Sequence, residues 1–183
     1  MKTASSFKDT FLNEYGYLLD YVDGQLMDWS VRPNMIFTVA FDYSPLDIKE
    51  KKIVLDTVTK ELLTSKGLRS LSPKSSGYNP MYFGAEEQRD KAYHQGTAWP
   101  WLMGFYLEAY LKIYKMSGLS FVERSLIGFD SDMTQQCIST LSELYDGNPP
   151  FTGHGAISYA MNIAEMLRIT KLLSRMNYEE GMI

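Results

Sequence analysis

PWLMGFYLEAYLKIYK, residues 100–115, is the stretch on which the fold class turns. Trp101, Phe105, Ala109 and Ile113 recur every fourth residue, with Leu102 and Tyr106 beside them. That spacing draws one apolar stripe down a helix and fits no strand. Gly118 ends the pattern. Upstream, Ser44-Pro45-Leu46-Asp47 reads as a helix start, with Ser44 as cap, Pro45 in the first turn and Asp47 reaching back. The helix is expected to run through Ile53, Leu55, Val58, Leu62 and Leu63 and to stop near Gly67. Pro33 opens another helix over MIFTVAFDY, and Phe7 and Phe11 mark a first one over Ser6 to Tyr15. Between them the Asp23-Gly24 pair suggests a short hairpin.

Downstream, Ser120-Phe121-Val122-Glu123 repeats the capping-box pattern. One or two helices are expected through Cys137, Ile138 and Leu141, and a last one from Ala156 to Met176, with NYEEGMI as a frayed tail. Residues 68–89, rich in Ser, Gly, Pro and Asn, read as a long loop of the kind that often carries function. About six helices in antiparallel pairs, no βαβ rhythm and no repeat give an all-α chain, residues 1–183 forming a single domain.

Composition narrows the function. The chain has 183 residues, is 45% hydrophobic and 14% aromatic, and carries a net charge of −4. A disordered chain is excluded, and no basic patch suggests nucleic acid. No apolar run is long enough for a signal peptide or a membrane span, so a cytoplasmic protein is expected. The single Cys137 cannot form an internal disulfide and reads as a buried thiol in a helix. The aromatic load fits a well-filled core or a surface that stacks on ring-shaped ligands.

Three segments concentrate reactive side chains. Asp28-Trp29-Ser30-Val31-Arg32-Pro33-Asn34 puts Arg32 and Asn34 at a helix mouth, as hydrogen-bond donors for hydroxyl-rich ligands or as a capped surface. Arg89 to Trp101 gathers Tyr93, His94, Gln95, Trp99 and Trp101, as a sugar-stacking wall or an aromatic corner of the core. Ser142 to Pro150 holds Glu143 and Asp146, read as acids at a helix C-terminus. The helix dipole opposes a negative charge there, which suits a proton acceptor; a solvated pair of acids is the other reading. His94 and His154 lack metal-ligand spacing, no phosphate loop is present, and no metal or cofactor is expected.

In this order the segments resemble the C-terminal part of the amylo-α-1,6-glucosidase domain of the glycogen debranching enzyme family. The matching runs are RPNMIF, GLRSLSP (Gly67 to Pro73), YHQGTAWPW, SELYDG and AEMLR (Ala164 to Arg168), of which YHQGTAWPW and GLRSLSP are the most specific. The resemblance implies an (α/α) toroid of the six-hairpin glycosidase type, of which this chain would hold the C-terminal half. It also implies inverting hydrolysis of α-1,6-linked glucose stubs, with an α-glucan or oligosaccharide as substrate and no cofactor. Glu143 falls at the family's general base; Arg32, Asn34, His94, Gln95, Trp99, Trp101 and Asp146 fall at sugar-site positions.

The family's general acid, an Asp in a Trp-Met-Asp stretch, has no counterpart here, since Leu26-Met27-Asp28 lacks the Trp. Tyr159-Ala160-Met161 stands where the family often has Gln-Ala-Trp, and Asn148 where it commonly has Asp. The expected partners are the missing N-terminal half, or a second copy docked on an exposed apolar face. The alternatives are a non-catalytic glycan-binding module, a structural helical module, or another toroid glycosidase of the glucoamylase or trehalase kind.

Overall fold

The structure, a computed structural model, describes residues 2–180. In chain order it contains α1 (Lys2–Phe11), the hairpin strands β1 (Val22–Asp23) and β2 (Leu26–Met27), and a 3-10 turn Pro33–Ile36 that runs into α2 (Phe37–Ala40). Then come α3 (Ile48–Glu61), β3 (Leu63–Thr64), β4 (Gly67–Arg69), α4 (Glu86–Tyr93), β5 (Ala98–Trp99) and α5 (Pro100–Tyr114). A 3-10 turn Lys115–Gly118 leads to α6 (Leu119–Ile127), followed by a 3-10 turn Asp132–Thr134, β6 (Leu144–Tyr145), β7 (Gly153–His154) and α7 (Ala160–Glu180).

Helix α5 is the hub. Leu102, Met103, Tyr106, Leu107, Ala109 and Leu111 are buried on it, and it packs on α7, α2, α3 and β4. Each large side chain so buried contributes about 1.5–3 kcal/mol. Its charged Glu108 is answered from two sides, by Lys112 at 3.0 Å and by Arg168 of α7 at 2.5 Å. Arg168 also grips Glu165 at 2.8 Å and lies 5.0 Å over the ring of Phe105. The AEMLR run thus ties α7 to α5.

Helices dominate, but the chain is not purely all-α. Strands β3-β4-β5-β6-β7 form an antiparallel sheet in that order, with Leu68 opposite both Leu63 and Trp99, and Tyr145 opposite Ala98 and Gly153. Every strand has two or three residues. Runs that short cannot display a period of two, so the pattern that reveals helices is silent about them. The sheet gathers the GLRSLSP, TAW and SELYDG segments along one end of the helices. No closed ring is present among the described residues.

Other expectations shift. Helix α3 starts at Asp47, not Ser44: Asp47 accepts from the Lys49 and Glu50 amides at 2.8 and 3.0 Å, and Glu50 accepts from the Asp47 amide at 2.7 Å. A Glu at the third position reaches back where the shorter Asp does not, so the later box wins. Ser120 lies inside α6, whose cap is Gly118. The long loop ends early, because residues from Glu86 onward form α4. Residues 135–143 form turns instead of a helix, and Cys137 is exposed. Helix α7 continues through Glu180 where fraying was expected; the rest of that tail, residues 181–183, lies outside the described residues.

No described helix is long and apolar enough to cross a membrane. An apolar groove lined by Leu126, Ile127, Met133, Met166 and Leu173 opens between α6 and α7.

Candidate functional site

The extended residues before α2, the end of α4 and the start of α5 meet at one end of the fold. They enclose a cleft of about 710 Å³ lined by Arg32, Asn34, His94, Gln95, Trp99 and Trp101, six of the residues singled out in the sequence. Asp20, Tyr21, Asp28, Ser70, Tyr93, Tyr159 and Met161 complete much of the wall.

Arg32 holds the wall together. Its guanidinium donates to the carbonyls of Ser70 at 3.2 Å and His94 at 2.9 Å, and to Gln95 Oε1 at 3.0 Å. Asp20 and Asp28 lie 3.8 and 4.0 Å from its Nε. Three segments distant in sequence are thereby fastened by one planar fork, a job a lysine ammonium could not do. Asn34, on the rim, donates to Asp20 at 2.8 Å.

The aromatic wall is built in layers. The His94 ring stacks on Trp99 at 5.5 Å and 17°, and Tyr93 meets both rings edge-on. Trp99 is only 5% exposed and donates to Thr97 at 3.1 Å, so it backs the wall while His94 faces out. Trp101, half-buried, stacks on Phe37 at 6.1 Å and 21°.

Burial first, and then the Arg32 charge, hold the His94 pKa below its ordinary value of 6.5. The fold favours the neutral ring, which both donates and accepts hydrogen bonds. Its contribution to stability is whole above the unfolded-state pKa and is lost as pH falls through the folded one. In Arg32→Gln the His94 pKa is expected to rise toward 6.5 and to stay below it, because burial, the larger cause, remains. The chain has two histidines, so an NMR titration of the ring protons reads this directly. A pKa that fails to rise contradicts it.

Glu143 stands one side chain behind the cleft. Its Oε1 accepts a short hydrogen bond from the Tyr93 hydroxyl, and its Oε2 accepts from the Ala156 amide at 2.9 Å. Burial, followed by that bond to Glu143, raises the Tyr93 pKa well above the ordinary phenol value, so Tyr93 stays a proton donor. No helix ends at Glu143; it leads into β6, and the expected dipole effect is absent. What surrounds the carboxylate is a loop. Gly155, at φ +74°, passes so close that a Cβ there would lie 2.4 Å from Oε2.

The structure puts Asp146 beneath the site, 3% exposed. It accepts from the Tyr82 amide at 2.8 Å and sits 3.0 Å from His154 Nε2, without hydrogen-bond alignment to that ring.

Several contributors escaped the sequence reading. Asn162 is fully buried and links the parts of the site: it accepts from the Trp101 amide at 2.9 Å and donates to the carbonyls of Ser142 at 2.6 Å and Glu143 at 3.0 Å. An Asn beside the apolar face of a helix was the available signal, since a buried amide must find partners. Tyr159 and Met161 line the cleft although they depart from the family's Gln-Ala-Trp.

The arrangement is an aromatic hollow with mixed donors and acceptors and a carboxylate behind one wall. That chemistry suits a neutral polyhydroxylated ring. The amylo-alpha-1,6-glucosidase family matches residues 1–168. The chain is similar to a glycogen debranching enzyme of Saccharomyces cerevisiae, with 36% identity over 91 residues, a match that covers 45% of this chain and 6% of the yeast protein.

Proposed function

Because this chain belongs to the amylo-α-1,6-glucosidase family, we propose that its cleft binds the terminal glucose of an α-glucan and that Glu143 activates the water that hydrolyses it with inversion. The observation that carries this reading is the Tyr93–Glu143 bond, which joins the carboxylate to the wall of the aromatic hollow. One lone pair on each carboxylate oxygen is taken by a fixed donor. Others stay free to receive a proton from water. Trp101 is the stacking platform, and His94, Gln95 and Asn34 address sugar hydroxyls. Arg32 and Trp99 act through them, one by fastening the wall and one by backing His94. Asp146 holds the loop that carries Glu143.

An inverting hydrolase also needs an acid on the leaving-group side, about 6.5–9.5 Å from the base. The acids on the cleft wall, Asp20 and Asp28, are engaged as acceptors by Asn34 and the Ser30 amide, beside Arg32. Neither stands in a Trp-Met-Asp stretch. In this reading the chain is the base side of a larger helical toroid, and alone it cleaves glucans with alcohol leaving groups about 10²–10⁴-fold below the rate with an acid in place.

A substrate that needs no acid isolates the base. In α-D-glucopyranosyl fluoride the leaving group departs as fluoride without a proton. Fluoride release that depends on Glu143 supports the proposal; release that is unchanged in Glu143→Gln contradicts it. The position of Glu143 behind Tyr93 favours a second reading, a glycan-binding wall in which the carboxylate only braces the loop. In that case maltooligosaccharides still shift the Trp101 indole N–H signal, and Glu143→Gln changes neither that shift nor fluoride release.

A further inference from the structure

The strip Asp28 to Arg32 has a second side. It turns Asp28 and Arg32 to the cleft described above, and Trp29 and Val31 to a separate cleft of about 480 Å³. We propose that this second cleft is a docking site for an α-glucan chain, distinct from the site beside Glu143.

Its aromatic part is a corner. The Tyr15 and Tyr17 rings lie 6.3 Å apart and nearly parallel, at 13°, and Trp29 meets Tyr15 at 6.3 Å and 74°. Tyr15 is 67% exposed and Trp29 44%. Neither is loose. The Asn13 side chain accepts from the amides of Tyr15 at 3.0 Å and Tyr17 at 3.3 Å, and the Tyr17 hydroxyl donates to the Trp29 carbonyl at 3.1 Å. The loop is built to present flat faces outward.

The opposite wall is polar and mixed in sign. Glu61 accepts from the Ser72 hydroxyl at 2.8 Å and pairs with Lys74, and Lys60 stands beside it. Glu61 offsets one of the two ammonium groups, so the three together carry a single net positive charge. Aromatic faces opposite donors and acceptors suit a neutral sugar chain, stacked on one side and hydrogen-bonded on the other. The choice of a glucan over another neutral glycan rests on the function proposed above.

The chain's three tryptophans serve as separate reporters: Trp29 in the second cleft, Trp101 in the first, Trp99 in the interior. In a titration of the full chain with maltoheptaose, the indole N–H signal of Trp29 is expected to move, and to move still in Trp101→Ala. Tyr15→Ala, which removes an exposed ring and no core, should weaken the affinity read at Trp29 about tenfold, the scale of one aromatic contact, and leave that read at Trp101 unchanged. A Trp29 signal that stays still while Trp101 saturates overturns the proposal, as does one that responds to a nucleotide and not to the glucan. Loss of the Trp29 response in Trp101→Ala also overturns it. Glu143-dependent fluoride release is independent of all three outcomes, so failure of the second cleft and failure of the proposed hydrolysis are told apart.

Discussion

Hydrolysis of α-D-glucopyranosyl fluoride by Glu143→Gln is expected to run about 10²–10⁴-fold slower than by the parent chain, the usual worth of a positioned general base. As the water oxygen bonds to C1, the C1–F bond breaks, fluoride leaves with the bonding pair, and the water proton passes to the Glu143 carboxylate. Gln has nearly the same shape and can still accept from Tyr93, but it takes no proton. With its oxygen toward Tyr93 the amide meets the Ala156 amide donor to donor, a local cost of about 1–3 kcal/mol; turned round, it donates to the Tyr93 hydroxyl oxygen. A second variant therefore separates chemistry from bracing. In Glu143→Ala with azide, the nucleophile carries no proton to remove, the C1–N bond forms as C1–F breaks, and the rate should recover. An inactive Glu143→Ala chain that azide does not rescue would mean that the carboxylate only supports the loop.

Gly67→Ala should cost about 2–6 kcal/mol, the sum of backbone strain and forced displacement. Gly67 sits at φ +131°, where an L side chain is strained, and a Cβ there would lie 2.4 Å from the carbonyl carbon and oxygen of Trp99. The obstacle is backbone on the neighbouring strand, so no rotamer change relieves it. Strand β4 must move from β5, and the Leu68–Trp99 pairing that seats the wall under His94 goes with it. A loss of this size is a large share of the about 5–15 kcal/mol that holds a domain folded. Urea unfolding reads it, and a midpoint equal to the parent's would contradict the close approach of the two strands.

The parts of the fold that were legible in the sequence are those with a full helical period. The helix at α5 and the Asp23-Gly24 turn fall where the residues suggest; α3 carries Ile53, Leu55 and Val58 as expected but ends at Glu61, and Leu63 and Gly67 lie in β3 and β4 instead. The sheet was not legible, because its pairs join segments far apart in the chain and no strand is long enough to alternate. The turns at 135–143 share the apolar content of a helix without its spacing, and Cys137 in them is exposed.

In the site, residue type was readable and role was not. Arg32 and Gln95 look like ligand donors, yet much of their hydrogen bonding is with each other and with the wall. Glu143 was singled out through its motif, and the helix expected to end there is absent. Its true partner, Tyr93, lies fifty residues upstream in the same motif as His94. Contacts at that separation are set by how α4 and β6 dock, which no local pattern records.

Proton NMR of the first sugar released from α-D-glucopyranosyl fluoride tests the water-activating role of Glu143 most directly. The expected first product is β-glucose, formed by the parent chain and nearly absent with Glu143→Gln. Initial release of α-glucose, or β-glucose at the same rate from both chains, would contradict it.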